Sequence, residues 1–389
     1  MVAGIENSDQ PKVGNIAGIV GAIACTTIFA LSIGLSYPLL SFILDGLGHS
    51  EFEIGINAAM TPLGVLLASP FFPRIVNRFG SWQVAVVCLI IVASVIFMMG
   101  LFKDYTAILL FRLVLGMADA GVFIISETWI NQLADKRSRG RIIGLYVTAL
   151  SAGFGAGPLT LSLTGVDGLT PFLMGAGLCT IAILIVLIIR KSTPTTTDEP
   201  VASSMSFLRL APTLLLAVAV FSFWDAALLS LFPVYGLSYG LTAGFVTFAI
   251  SVCIFGNTFL QIPIGLVADR SSKRLVMILC CFLAAICTIF VPLVIGTNYL
   301  LLPVLFFWGA FAGGLYTMAM AELGDRFTGS QLVAGNAAFA FIYGVGGLIA
   351  GPITGISMEL TGPNGLPGIL AVTFILTGII AWWRYSAPR

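Results

Sequence analysis

Three ionisable side chains stand inside long apolar stretches of this sequence: Arg112, Asp119 and Asp225. A charge at the centre of a bilayer costs about 2.5–3.5 kcal/mol even on the most lenient scale, so such residues usually face a cavity and handle an ion, a proton or a polar solute. Arg112 and Asp119 are seven residues apart, close to two helical turns, which places them on one face about 10.5 Å apart along the axis. At that spacing Arg112 would hold Asp119 ionised. Asp225 has no opposite charge on its own stretch and lies near its middle. A carboxyl at that depth can exchange a proton with whichever side water enters from. This is the chemistry of ion coupling, with Asp225 the leading acid and Asp119 and Arg112 beside it.

Polar and aromatic residues at comparable depths could line the same cavity: Tyr37, Asn57, Phe223, Trp224, Asn257, Gln261, Trp308, Tyr316, Asn336 and Tyr343. Taken singly, each is more often helix packing than a ligand contact. Asn257 and Gln261 are one turn apart on one face and read as a pair. Glu127 and Glu322 close two apolar stretches at matching positions, 195 residues apart. There the plainer reading is an anchor that pairs with loop arginines.

The elements that must hold these side chains follow from composition. Of 389 residues only 9% are charged and 58% are hydrophobic, against about 25% charged in soluble domains. Mean hydropathy is +1.06, too apolar for one globular core. A membrane span needs about 20 apolar residues. Breaks at charges and Gly/Pro/Asn turns predict twelve spans, at 14–44, 53–72, 82–101, 105–131, 142–164, 170–189, 210–236, 243–266, 275–295, 299–321, 332–358 and 366–384. The short alternating segments of a β-barrel do not occur. The polar start (Glu6, Asp9, Lys12) lacks the basic region and cleavage site of a secretory signal, so the first span is expected to remain.

Lys and Arg set the orientation. With the N-terminus cytoplasmic, sixteen of the eighteen fall in inside loops. Lys103 lies outside and Arg112 within a span, which places both termini in the cytoplasm. The seven Cys all lie in apolar stretches without metal-type spacing, so they read as small hydrophobes and neither a metal nor a disulfide framework is expected. His49 stands alone in the first outer loop. A net charge of +1 and the lack of a basic, aromatic-laced cluster argue against nucleic acid. Loops too short for a soluble catalytic domain, with no G-x-x-x-x-G-K, leave an ion or solute gradient, or no coupling at all, as the energetics, with no cofactor.

The chain also repeats itself. The charged turn around Arg78 recurs at Arg270, Pro38 at Pro233, and Gly157-Pro158 at Gly351-Pro352, at offsets of 192, 195 and 194 residues. The polar Thr/Ser/Pro run at 191–208 divides the copies, giving an N-terminal six-helix bundle at 1–190, a cytoplasmic linker, and a C-terminal bundle at 209–389. Duplicated halves with a charged turn in each suggest a transporter.

The turn Gly265…Asp269-Arg270…Lys273-Arg274 resembles the G-x-x-x-D-R-x-G-R-R signature of the major facilitator superfamily, with Ser272 at the second Gly. The first copy keeps Arg78 and Gly80 but has Pro73 and Asn77 for Gly and Asp. Gly153…Gly157-Pro158 and Gly347…Gly351-Pro352…Gly355 are similar to the G-x-x-x-G-P signature of that family's proton antiporters, and Arg112…Gly116 to its R-x-x-x-G. The resemblance covers the whole chain. It implies an all-α membrane protein of twelve helices in two pseudo-symmetric six-helix bundles, in a bacterial inner membrane and acting as a monomer. It implies a latch at Arg78, Gly265, Asp269, Arg270 and Arg274, in which Asp269 pairs with basic neighbours in one state. Helices should bend at Gly157, Pro158, Gly351 and Pro352. The partners implied are a small organic solute, a proton and the lipid bilayer, moved by alternating access as symport or antiport. The antiporter signatures lean towards efflux of a drug- or sugar-like solute, while the aromatics allow uptake of an aromatic or heterocyclic nutrient such as a riboflavin-like vitamin.

Overall fold

The computed structural model describes residues 13–134, 139–194 and 210–386. Lys12, Lys136, Arg137, Arg209, Arg389 and all but the first residues of the expected linker lie outside the described residues. Among those described there are helices and turns and no strand, and twelve helical spans are long and apolar enough to cross a membrane.

The helices are α1 (Val13–Gly46), α2 (Glu51–Ala68), α3 (Phe72–Phe79), α4 (Ser81–Leu101), α5 (Tyr105–Leu133), α6 (Arg139–Thr164), α7 (Thr170–Ile189), α8 (Pro212–Ser230), α9 (Phe232–Ser238), α10 (Ala243–Asp269), α11 (Lys273–Val294), α12 (Asn298–Arg326), α13 (Gly329–Thr361) and α14 (Gly365–Ser386). Two spans are composite. A 3-10 turn at Ser69–Phe71 joins α2 to α3, with Pro70 in the turn and Pro73 opening α3; neither Pro offers a backbone donor. Leu231 interrupts the span expected at 210–236, and α9 restarts with Pro233 in its first turn. The turns expected at 73–80 and 265–274 are largely helical, since α3 runs to Phe79 and α10 to Asp269. Gly265 and Asp269 therefore stand on a helix end. Side-chain oxygens of Ser50, Asp104, Thr242 and Ser272 accept from the third residue of α2, α5, α10 and α11 respectively, supplying partners for first-turn N–H groups that have none within the helix.

Glycine sets how closely the helices approach. A Cβ on Gly116 would stand 2.0 Å from the Thr61 carbonyl oxygen, and one on Gly64 2.3 Å from that of Leu113, so α2 and α5 touch backbone to backbone. The second half repeats this clasp. A Cβ on Gly309 would meet Cys253 O at 1.8 Å, and one on Gly256 Phe306 O at 1.9 Å, between α10 and α12. Helices in lipid associate through such small-residue contacts because the hydrophobic effect does not drive them together there.

The halves meet through α2 against α13 and α6 against α10. Gly55 and Gly351 face each other so closely that a Cβ on either would stand 2.2 Å from the other's carbonyl oxygen. Gly355 is pressed in the same way on Glu51 O, at 2.4 Å. Beyond them the Phe52 N–H donates to Glu359 Oε1 at 3.2 Å. These contacts lie at the end of the molecule opposite the one that carries Arg74, Arg78, Arg270, Lys273, Arg274 and Arg326, called here the basic end.

Candidate functional site

Asp225 projects from the C-terminal half of α8 and is half-buried. Its Oδ2 accepts a hydrogen bond from the Tyr343 hydroxyl of α13 at 2.8 Å. Around this dyad the C-terminal half gathers aromatic rings. Phe221, one turn before Asp225, lies 5.3 Å from the Tyr316 ring, 6.1 Å from Tyr343 and 5.9 Å from Trp224. Tyr316 meets Tyr343 edge-on at 6.3 Å. The residue spacing of α8 explains the grouping, since positions four apart share a face. Together they make a half-open carboxylate with a phenol donor and flat apolar walls.

The N-terminal half places its charges differently. Arg112 and Asp119 are both fully buried, yet they do not pair as their spacing suggested. Asp119 accepts from Ser32 Oγ through both oxygens, at 3.0 and 2.9 Å. Arg112 Nη2 donates to the carbonyls of Ser36 and Tyr37 at 3.2 and 3.3 Å, and the guanidinium lies 4.4 Å over the Tyr37 ring. The physical reason is vertical distance: two turns separate the groups, and α1 offers each a nearer partner. α1, which carries Tyr37, also packs against α8, which carries Asp225.

The other expected cavity residues divide into two sets. Tyr316, Tyr343 and Asn336 are half-buried or exposed. Trp224 and Trp308 are buried against each other, edge-to-face at 5.6 Å, so Trp308 serves the core of its half. Tyr37 and Asn57 are also buried. Asn257 and Gln261 do act as a pair, but with each other and with α12: Gln261 Nε2 donates to Asn257 Oδ1 at 2.8 Å and to Ala310 O at 3.3 Å. Gly313 makes room for them, since a Cβ there would stand 1.7 Å from Asn257 Oδ1. They clasp α10 to α12 within one half.

The expected latch is also rearranged. Asp269 and Arg270 are exposed, and no described residue pairs with the Asp269 carboxylate. The acids that bind the basic residues come from the end of α12. Arg274 Nε meets Glu322 Oε1 at 2.7 Å, Arg326 Nε lies 3.9 Å from the same oxygen, and Lys273 pairs with Asp325. Arg78 lies over the adjacent Phe79 ring at 5.3 Å, and Gly265 has open space around it. Glu322 is thus the expected anchor, whereas no described residue pairs with the carboxylate of its repeat mate Glu127. α6 and α13 continue unbroken through Pro158 and Pro352, and the adjoining Gly157 and Gly351 act by close approach, to Gly34 and Gly55.

The sequence reading missed Ser32, Ser36, Thr61 and Phe221. A signal existed for two of them, because Ser32 and Ser36 are one turn apart on one face of α1.

A family model described as Major Facilitator Superfamily matches residues 22–258 and 214–389. The chain is 26% identical over 339 residues to YfkF of Bacillus subtilis, an uncharacterized MFS-type transporter, covering 86% of each sequence. It is 24% identical over 351 residues to the uncharacterized MFS-type transporter YcaD of Escherichia coli, covering 90% of this chain and 91% of YcaD. Among solved structures the nucleoside transporter NupG superposes with a TM-score of 0.79 at 13% identity, covering 97% of this chain and 100% of that one. Twelve spans and a duplicated glycine clasp agree with those matches, and the chain belongs to the Major Facilitator Superfamily of membrane transporters.

Proposed function

We propose that the protein is a proton-coupled secondary transporter that moves a small organic solute out of the cell by alternating access, with Asp225 as the coupling acid. The half-open Asp225–Tyr343 pair carries this reading. A carboxyl reached by water in one state and dried in another can load a proton on one side and release it on the other. The tight α2–α13 contacts at the end opposite the basic end support a state open towards the basic, cytoplasmic side, with both termini there. Single cysteines at Ser50 and Ser271 should accordingly label from opposite faces of the membrane. The halves move as an N-terminal and a C-terminal bundle joined by the 191–208 segment.

A second reading, uptake of an aromatic or heterocyclic nutrient, draws support from the rings of Phe221, Trp224, Tyr316 and Tyr343 and from the nucleoside transporter that shares the fold. Proteoliposomes with an imposed pH gradient test the coupling. Asp225→Asn should abolish uphill movement while retaining solute exchange; uphill movement at the normal rate in that variant removes Asp225 from the coupling role. The sign of the gradient that drives accumulation separates efflux from uptake.

A further inference from the structure

A group of hydrogen-bond donors in the N-terminal half is buried without acceptors. Arg112 is fully buried, and its Nε and Nη1 have no hydrogen-bond partner; neither do the amide atoms of Asn57 nor the hydroxyl of Ser36, and Thr61 is buried beside them. These atoms come from three helices and lie within about one helical turn of each other along them. The α2–α5 clasp sets Thr61 against Gly116. Asn57 and Arg112 each stand one turn further along these parallel helices, on the faces that meet. Ser36 belongs to the stretch of α1 whose carbonyls take the remaining nitrogen of Arg112.

Burying a guanidinium without a counter-charge is strongly unfavourable, and so is burying an amide without partners. The acids near Arg112 are engaged elsewhere: Asp119 with Ser32, and Asp225 with Tyr343. The patch therefore offers a charged donor and three neutral polar groups, which is the complement of a carboxylate. Its wall is aromatic. The Tyr37 ring covers the guanidinium, and α1 packs against α8, which sets Phe221 beside Tyr316 and Tyr343.

We infer that this patch is the subsite for the carboxylate of the transported solute, and that the solute is a small aromatic monocarboxylic acid. The inference rests on the transport reading given above. One guanidinium balances one carboxylate, and a second acidic group on the solute would be repelled by Asp225 and Asp119. Arg112 and Asn57 supply the donors, Thr61 and Ser36 flank them, and the rings hold the aromatic body. Solute binding would then join an N-terminal anchor to walls supplied by the C-terminal half, so that the bound solute favours a closed state of both.

Thermal unfolding of the detergent-purified protein tests this without any gradient, using benzoate, its neutral isostere benzamide, and formate as a small carboxylate. Benzoate should raise the melting temperature in a saturable way, benzamide and formate much less. Arg112→Gln should abolish the benzoate shift and Arg112→Lys retain part of it. Asn57→Leu and Thr61→Val should weaken half-saturation about tenfold each, about 1.4 kcal/mol, and they decide the matter should Arg112→Gln fail to fold. The inference is overturned if benzoate gives no shift, if formate matches it, or if the shift is indifferent to Arg112, Asn57 and Thr61; proton coupling through Asp225 would survive each of those results.

Discussion

The two halves keep the same packing device and spend their charges differently. Gly64 with Gly116 and Gly256 with Gly309 form backbone clasps at equivalent points of the repeat. Yet the N-terminal half buries Arg112 and Asp119 completely, while the C-terminal half leaves Asp225 half-open and concentrates ion pairs at its basic end. The repeat mates Glu127 and Glu322 show the same divergence: Glu322 is held by Arg274, and no described residue holds Glu127. The arginine is missing for a simple reason, since the position in α4 that corresponds to Arg274 is Trp82. Backbone contact tolerates no side chain, so the clasp is preserved through duplication. A polar site tolerates change wherever a new partner can be found, so the two copies hold their charges differently.

Breaking the shared device should have the largest effect. Gly116→Val and Gly309→Val each force a branched side chain against a carbonyl oxygen, at the upper end of the roughly 1–3 kcal/mol of overpacking or above it. Both variants should lose folded protein in detergent, measured by size-exclusion yield, whereas Gly265→Ala and Gly324→Ala, in open space, should behave as the parent. Survival of one clasp variant but not the other would show that the halves are unequal even in packing.

The acids sharpen the comparison next. Asp225→Asn should stop gradient-driven transport. Asp119→Asn, which keeps a hydrogen-bonding partner for Ser32, should slow it by less than about tenfold, or about 1.4 kcal/mol. Equal losses in the two variants would mean that proton traffic passes through both halves.

At the basic end, Glu322→Gln should cost about 1 kcal/mol, with a loss that shrinks as salt is raised. Glu127→Gln and Asp269→Asn should stay within about 0.5 kcal/mol of the parent. Melting temperatures at low and high ionic strength would check this set, and a large effect at Asp269 would restore the latch expected from its sequence signature. The smallest change is expected for Glu359→Gln, which weakens one exposed hydrogen bond between the halves. It should shift their opening, read by cysteine labelling near Asn336, without altering stability.

Span number and the repeat are local properties of the chain, and they were legible in it. Apolar length, charge placement and recurrent Gly-Pro pairs located ten of the twelve spans as single helices, and the two composite spans broke at Pro70 and near Pro233, where residues already known to interrupt helices stand. The intramembrane charges were legible for the same reason: a charge in an apolar run is conspicuous without any structure. Their partners were not. Helical spacing joined Arg112 to Asp119, but α1 supplied Ser32 to one and the carbonyls of Ser36 and Tyr37 to the other. The same spacing correctly paired Asn257 with Gln261, while only the position of Gly313 turned that pair towards α12. The sequence by itself determined which side chains must avoid lipid, because that cost depends on residue type and depth alone. Which of them stay half-buried, clasp a neighbouring helix or lie buried without a protein acceptor was decided by the tertiary structure, because a hydrogen bond needs a partner within about 3 Å and that partner here comes from another helix.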